Sequence, residues 1–178
     1  RYMLPSAITF YNSNIKLRQS SFLKNLNGDD LVNVFHCNFE IENCIFTKAV
    51  SDALDSDFSN GVIRSTQFYN SGNDALDFSG SSVLIENCVI KNVADKALSA
   101  GEKSNIRFLN NVVVNSELAI VVKDGSIVEV NECLLDNNRV DYVAFRKKEF
   151  YEEPKLVLGH NSFTEMHSYL FEEGALIL

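Results

Sequence analysis

The chain has 178 residues, of which 46% are hydrophobic, enough to bury the core of one folded domain. Its 24 Asp and Glu outnumber its 16 Lys and Arg, so the formal net charge is −8. This charge disfavours nucleic acid, and no apolar run approaches about 18 residues, so we expect neither nucleic-acid binding nor membrane insertion. The chain starts at Arg1 without a signal-peptide pattern and ends in an apolar run. We therefore expect the rest of a larger parent polypeptide to be a partner.

A repeat of about 22 residues runs along the chain. The sequences Asp-Ala-Leu-Asp at 52–55, Asp-Ala-Leu-Asp at 74–77 and Lys-Ala-Leu-Ser at 96–99 are 22 residues apart. Three apolar columns keep nearly the same step over seven copies. They are Ile8, Val32, Leu54, Leu76, Leu98, Ile120 and Tyr142; Leu17, Ile41, Ile63, Ile85, Phe108, Val130 and Leu158; and Phe22, Phe46, Phe68, Ile90, Val113, Leu135 and Phe163.

Each copy of the repeat consists of short apolar alternations, rich in β-branched and aromatic residues and separated by Asn, Ser, Gly and Asp. This pattern is typical of strands and turns, and no copy has the apolar spacing of a helix. Three apolar columns per copy predict an all-β fold, a three-sheet parallel β-helix of about seven 22-residue coils. We assign residues 1–165 to the β-helix and residues 166–178 to a C-terminal closing strand or cap.

Two polar columns accompany the apolar ones. The first lies two residues before the third apolar column and should also point inward, whereas the second marks a turn. They are Ser20, Cys44, Thr66, Cys88, Asn111, Cys133 and Asn161, and Asn14, Asn38, Asn60, Ser82, Ser104 and Ser126. Cys44, Cys88 and Cys133 fall two coils apart, about 9.6 Å, whereas a disulfide needs Cα atoms within about 7 Å. We predict four reduced thiols.

Acidic residues gather where the first strand of each coil should face outward. If Leu54, Leu76 and Leu98 point inward, the preceding turn and the alternate strand residues form three outer columns. These columns are Asp30, Asp52, Asp74, Lys96 and Leu118; Thr9, Asn33, Asp55, Asp77, Ser99 and Val121; and Tyr11, Phe35, Asp57, Ser79, Gly101, Lys123 and Phe145. Carboxylates repeated at about 5 Å repel one another, so this arrangement is costly unless something offsets it.

Three explanations of the aspartate columns are open. The carboxylates accept backbone N–H bonds in turns, or Asp52, Asp74 and Asp77 bind a hard cation such as Ca²⁺, or two carboxylates act as acid and base. The catalytic candidates are Asp52, Asp55, Asp74, Asp77, Lys96 and Lys123. The substrate-binding candidates are Asp57, Glu102, Lys103 and Asp124. Ca²⁺ is the one cofactor that the pattern suggests, and outward aromatic rings could stack on sugar rings.

The repeat resembles that of the right-handed parallel β-helices of the pectin-lyase-like superfamily. The residues that carry the resemblance are SDALD at 51–55, GNDALDFSGS at 72–81, DKALSAGEKS at 95–104 and VKDGS at 122–126. They are similar to a repeat module of bacterial envelope and secreted proteins, which implies that location and a polysaccharide or other carbohydrate as ligand. Lys96 stands where polygalacturonases of the superfamily have a histidine, and no arginine precedes Arg139 on the proposed face to act as a lyase base.

Two functions follow from these observations. The first is a non-catalytic carbohydrate-binding or scaffold module of a larger bacterial envelope or secreted protein. The alternative is a polysaccharide lyase or hydrolase that acts on acidic glycans through the Asp and Lys columns. The two differ in turnover: an enzyme loses turnover but not its fold when Asp74 becomes Asn, whereas a binding module has no turnover to lose.

Overall fold

The computed structural model describes residues 6–26, 28–159 and 168–178, which fold as a parallel β-helix with three strands in each coil. Equivalent strands of successive coils stack into three faces. The first face contains Ser6–Tyr11, Asp30–Phe35, Leu54–Asp57, Leu76–Ser79, the ends of Val89–Gly101 and Val112–Lys123, Val140–Phe145 and Tyr169–Phe171. The second contains Asn14–Arg18, Asn38–Glu42, Asn60–Arg64, Ser82–Glu86, Asn105–Leu109, Ile127–Asn131, Lys155–Leu158 and Leu176–Ile177. The third contains Ser21–Leu23, Ile45–Thr47, Gln67–Ser71, the starts of Val89–Gly101 and Val112–Lys123, and Leu134–Asp136.

The pairing register follows the repeat. Leu54, for example, pairs in parallel with Val32 on one side and with Leu76 on the other. The same holds along all three predicted apolar columns. Phe163 of the third column lies outside the described residues. The all-β parallel solenoid that the period predicts is confirmed.

The first and third faces share strands. Val89–Gly101 and Val112–Lys123 run on from the third face into the first, so these faces form one 12-stranded sheet beside an 8-stranded sheet on the second face. Pairing between the two long strands shifts register between Val93 and Lys96, where the chain turns the corner. The predicted three-sheet arrangement is therefore seen as three faces, two of which are hydrogen-bonded into one sheet.

The core lies inside the coils, where the apolar columns meet. Phe22, Phe46 and Phe68 form a continuous stack, with ring centroids 4.6 and 4.9 Å apart. Phe46 and Phe68 are fully buried, and burying a side chain of this size stabilises the fold by about 1.5–3 kcal/mol. The described part of the chain contains no helix that is long and apolar enough to cross a membrane.

Polar side chains inside the coils bond from one coil to the next. The Thr66 hydroxyl accepts the Cys44 N–H at 3.3 Å, and the Asn111 side-chain oxygen accepts the Cys88 N–H at 2.8 Å. These bonds satisfy backbone donors that burial would otherwise leave unpaired. The first predicted polar column thus points inward; its last member, Asn161, lies outside the described residues.

The second predicted polar column is wrong at its last two members. Ser82 pairs with Asn105 and not with Ser104, because one coil has gained a residue at this corner. The inward ladder instead joins Ser81 to Ser104 and Ser104 to Ser126, each N–H donating to the next hydroxyl at 3.1 Å.

The C-terminal segment continues the coil pattern. Tyr169–Phe171 pairs in parallel with Val140–Phe145 on the first face, and Leu176–Ile177 pairs with Lys155–Leu158 on the second. The segment that the sequence marks as a closing strand or cap therefore adds one parallel strand to each of these faces. The predicted boundary between residues 165 and 166 lies outside the described residues.

Replacing Phe46 by Ala removes the middle ring of the aromatic stack and leaves a cavity between two coils. We expect the free energy of unfolding to fall by about 3–5 kcal/mol, measured by urea denaturation. Phe150→Ala is the matched control, because Phe150 is 79% exposed, and its effect should stay within about 0.5 kcal/mol. Equal, small effects of the two substitutions would contradict the stacked core.

The four cysteines Cys37, Cys44, Cys88 and Cys133 are buried and free. Burial raises the pKa of Cys88 to about 12 and that of Cys133 to about 11. Because the thiolate is the reactive species, we expect almost no reaction of the native protein with a thiol reagent such as Ellman's, and four reacting thiols in denaturant. A stoichiometry below four in denaturant, without added reductant, would show that a disulfide forms.

Candidate functional site

The outer surface of the first face holds the predicted aspartates together. The register places Asp55 between Asn33 and Asp77, so that their side chains share one column at a coil spacing of about 4.8 Å. The acidic face, as we name this surface, is formed by Asp30, Asp52, Asp55, Asp57, Asp74 and Asp77. All six come from the first-face strands of three consecutive coils or from the turns that precede them.

The turn aspartates bond to the backbone of the next coil. Asp52 Oδ1 accepts the Asp74 N–H at 2.8 Å and the Asn73 side-chain amide at 2.7 Å. Asp74 Oδ1 accepts the Lys96 N–H at 3.0 Å. The turn explanation thus accounts for one oxygen of each carboxylate. Among the described residues no hydrogen bond reaches Oδ2 of Asp52 or Asp74, so these oxygens are available to another group.

Asp52, Asp74 and Asp77 each bring one carboxylate oxygen within 4.8 Å of the other two. Ca²⁺ binds oxygen at about 2.3–2.6 Å, so oxygens on opposite sides of one ion lie about 5 Å apart. The separation of the three oxygens therefore fits a single cation between them. These are the three residues that the sequence predicts as metal ligands, and the fold brings them together from two successive coils.

A buried hydroxyl adjoins this trio. Ser99 pairs with Asp77 in the register, so both side chains lie on the same side of the sheet. Ser99 is fully buried, and its hydroxyl has no hydrogen-bond partner among the described residues. An unpaired buried hydroxyl costs about 1–3 kcal/mol, which a ligand or ordered water at the trio would recover.

Asp55 and Asp57 share a single amide donor. The Asn33 side chain donates to Asp55 Oδ2 at 2.7 Å and reaches Asp57 Oδ2 at 3.5 Å. Neither carboxylate has an ion pair among the described residues. Neither carboxyl group therefore has a cation of the described part of the chain in direct contact.

Burial and mutual repulsion make these carboxyl groups weak acids. Burial raises the pKa of Asp30 to about 8, and the nearby Asp55 and Asp52 carboxylates add to the rise. Burial together with repulsion from Asp57 raises the pKa of Asp55 to about 7. Burial likewise raises the pKa of Asp74 to about 7, and the pKa values of Asp52 and Asp57 are also raised, chiefly by burial. Protons or a bound cation would relieve this repulsion.

The predicted lysines lie at the edge of the acidic face. The Lys96 amine pairs with Asp74 at 3.2 Å and with Asp95, which leaves it little freedom to act as a catalytic base. Lys123 lies over Gly101, since a Cβ on this glycine would come within 3.5 Å of Lys123 Cε. The described first-face strands contain no arginine.

Three of the four predicted substrate-binding residues lie apart from the trio, and two of them hold a loop. Asp124 is buried, and its Oδ1 accepts the N–H groups of Lys147 and Lys148 at 2.7 Å each. Glu102 pairs with the Lys148 amine, and Lys103 is exposed beside them. These contacts anchor residues 146–154, the insertion that lengthens the last repeat. Only Asp57 belongs to the acidic face.

An aromatic cluster that sequence reasoning partly missed borders the acidic face. Tyr11 stacks on Phe35 with centroids 5.7 Å apart, and Phe58 meets Phe35 edge-on at 5.9 Å. His36 stacks on Phe58 at 5.5 Å. The outward columns contain Tyr11 and Phe35, but Phe58 follows the strand in a turn. The available signal was Gly80, one coil later, because Phe58 lies over it: a Cβ there would lie 2.6 Å from the Phe58 ring.

A surface depression lies elsewhere, on the second face. Its volume is about 500 Å³, and it surrounds Gly61. A Cβ on Gly61 would overlap the Phe39 ring at 2.2 Å. Lys16 and Glu40 at its rim are paired with each other at 2.9 Å, so the depression offers no charge that lacks a partner.

Comparison with known proteins identifies the fold. A family model described as the right-handed β-helix region matches residues 6–164. Two solved structures of trypsin-treated QnrB1, a plasmid-mediated fluoroquinolone resistance protein, are similar at 11% identity. One covers 94% of this chain and 92% of that chain with a TM-score of 0.34; the other covers 94% and 91% with a TM-score of 0.30. No curated protein matches the chain. These two likenesses carry no argument about function.

The free energy of unfolding should decrease as rising pH deprotonates the carboxyl groups of the acidic face. The pKa of Asp30 is raised from 3.8 to about 8, so at intermediate pH the folded state keeps a proton that the unfolded state has released. The resulting stability is full below about pH 4 and is lost as pH rises through about 8. Asp55 and Asp74 act in the same direction up to about pH 7. We expect the free energy of unfolding, measured in urea without divalent cations, to fall by more than about 1.4 kcal/mol, the equivalent of one pKa unit.

Two substitutions test which groups cause the dependence of unfolding free energy on pH. Asp30→Asn removes the most strongly shifted group and should flatten the dependence of unfolding free energy on pH. Asp136→Asn changes an exposed acid on the third face and should leave the slope as it is. A free energy of unfolding that increases with pH between about 5 and 8 would contradict the assignment.

Proposed function

The chain belongs to the right-handed β-helix family, and we propose that within this fold it is a non-catalytic carbohydrate-binding module whose acidic face holds Ca²⁺ through Asp52, Asp74 and Asp77. The module belongs, in this proposal, to a larger secreted or envelope protein of a bacterium. Ca²⁺ offsets the repulsion between the three carboxylates and leaves coordination positions open to sugar hydroxyls.

The observation that carries the proposal is the convergence of three carboxylate oxygens within 4.8 Å. Two supporting features point the same way. The fully buried Ser99 hydroxyl beside Asp77 lacks a partner among the described residues. The backbone bonds of Asp52 and Asp74 use Oδ1 and orient each carboxylate without using Oδ2. Hard oxygen ligands in this number suit Ca²⁺ when waters or sugar hydroxyls complete the shell.

The same distances argue against an inverting glycoside hydrolase at the trio. Hydrolases place their two carboxyl groups about 5–5.5 Å apart for retention, or about 6.5–9.5 Å apart for inversion. Oxygens held within 4.8 Å leave no room for the attacking water of an inverting reaction. Lys96 is occupied by two carboxylates, so it does not replace the base of a lyase.

The lyase or hydrolase alternative keeps one observation in its favour. The pKa of Asp55 is raised to about 7 by burial and by Asp57, as a general acid at neutral pH requires. Turnover of an acidic or neutral glycan by the wild-type protein that disappears in Asp55→Asn would support this alternative over the binding module.

Calorimetric titration with Ca²⁺ tests the proposed site. We expect binding with a Kd below about 1 mM, within the range of extracellular calcium modules. In the triple variant Asp52→Asn, Asp74→Asn, Asp77→Asn the binding should disappear. Asn keeps a side-chain oxygen that can accept the same backbone N–H groups, so the fold should survive.

Circular dichroism and urea denaturation would verify the fold of the triple variant. Asp136→Asn, which changes an acid outside the acidic face, should bind Ca²⁺ as the wild type does. Absence of heat at millimolar Ca²⁺ in the wild type, or equal binding by the triple variant, would refute the metal site.

A further inference from the structure

Asp55 and Asp57 differ from the neighbouring trio in their surroundings. Asp55 and Asp57 have no ion pair among the described residues, and they share one neutral amide donor. A Ca²⁺ ion at the neighbouring trio, together with Lys96, which pairs with Asp74, would offset the three negative charges there but none at Asp55 and Asp57. An acidic glycan would therefore be disfavoured at Asp55 and Asp57, whereas an ammonium group bound there would stabilise the ionised form of both carboxyl groups.

A second, independent feature marks this surface as incomplete. The Ser99 hydroxyl is fully buried in the column of Asp55 and Asp77, and it has no partner among the described residues. Buried hydroxyl groups are nearly always hydrogen-bonded in folded proteins. The hydroxyl and the carboxylates in its column together form a set of hydrogen-bonding groups with capacity for a ligand.

The aromatic cluster adds exposed apolar rings beside the carboxylates. Phe35 is the register partner of Asp57, so the ring and the carboxylate are side by side on the same surface. Tyr11 stacks on Phe35 with an interplanar angle of 19°. Tyr11 is 64% and Phe58 48% exposed, which leaves their rings accessible. Aromatic faces attract cations and accept the apolar faces of sugar rings.

The surface suits a glycan better than a basic peptide. Parallel pairing already uses the backbone groups of these strands within the sheet, so an extended peptide would find no main-chain partners on this surface. A glycan needs only side chains for its hydroxyl and amine groups. One of its ring faces can pack against the exposed ring of Tyr11.

We propose that the glycan bound by this module is an amino sugar with free ammonium groups, held by Asp55 and Asp57 and in contact with the exposed rings of Tyr11 and Phe58. This inference rests on the proposed carbohydrate-binding function and specifies its ligand class. Ca²⁺ at the trio orients the hydroxyl groups, and the two unpaired carboxylates select the ammonium group.

Calorimetry with four oligomers tests the proposal, each in the presence of Ca²⁺ and at a pH at which the amine is protonated. The probes are a glucosamine hexamer, an N-acetylglucosamine hexamer, an oligogalacturonate and an oligolysine. We expect the glucosamine hexamer to bind at least tenfold more tightly than each of the other three. Acetylation removes the charge but keeps the ring, so this pair isolates the ammonium group.

Variants separate this inference from the calcium site. Asp55→Asn with Asp57→Asn should weaken glucosamine binding at least tenfold while Ca²⁺ binding persists, and Tyr11→Ala should weaken it without changing its salt dependence. Asp136→Asn is the control. Tighter binding of oligolysine would show a peptide site instead, and tighter binding of oligogalacturonate would show that Ca²⁺ alone recruits an acidic glycan. Either result, or equal binding of both hexamers, overturns the amino-sugar assignment even if Ca²⁺ binds.

Discussion

Parallel pairing between successive coils brings side chains of the same kind into contact. Each residue lies about 4.8 Å from its counterpart in the next coil, and only neighbouring coils touch. For apolar positions this is favourable, as the stack of Phe22, Phe46 and Phe68 shows. For hydroxyl and amide groups it is also favourable, because each can bond to the next. For carboxylates it is unfavourable, so a column of aspartates works against the fold that contains it.

The acidic face is confined to a few coils of the solenoid. Its turn column changes from Asp74 to Lys96 and then to Leu118, and the adjacent column changes from Ser99 to Val121. Val121 and Leu118 join a small apolar cluster on the same outer surface. The fold therefore tolerates neutral and apolar residues at these positions. The charges of the acidic face are therefore not required by the geometry of the coils.

The period of the sequence predicts most of the fold, because residues one repeat apart pair with each other in the register of a solenoid. It also brings Asp52, Asp74 and Asp77 together, because equivalent positions must be neighbours. It does not show that Val89–Gly101 bends round a corner without a turn. Ser82 and Ser104 fall out of register where a coil gains one residue, a local change that residue types alone do not reveal.

The repeat cannot predict contacts made by residues that lie outside it. Asp124 bonds to the insertion and not to a neighbouring coil, and no period relates the two segments. Phe58 reaches the aromatic cluster from a turn, where the inward and outward alternation of a strand no longer applies. Side chains that leave the regular strands therefore have to be located from the structure.

The insertion at residues 146–154 shows where this architecture accepts additional sequence. The chain leaves the first face after Val140–Phe145 and re-enters the second at Lys155–Leu158, in register with Ile127–Asn131. Asp124 holds the first part of the loop through two backbone N–H groups, an interaction that does not depend on which side chains the loop carries. This corner is consequently a natural graft point. A foreign loop or a fluorescent reporter placed there would occupy a fixed position on the solenoid without disturbing the pairing of the coils.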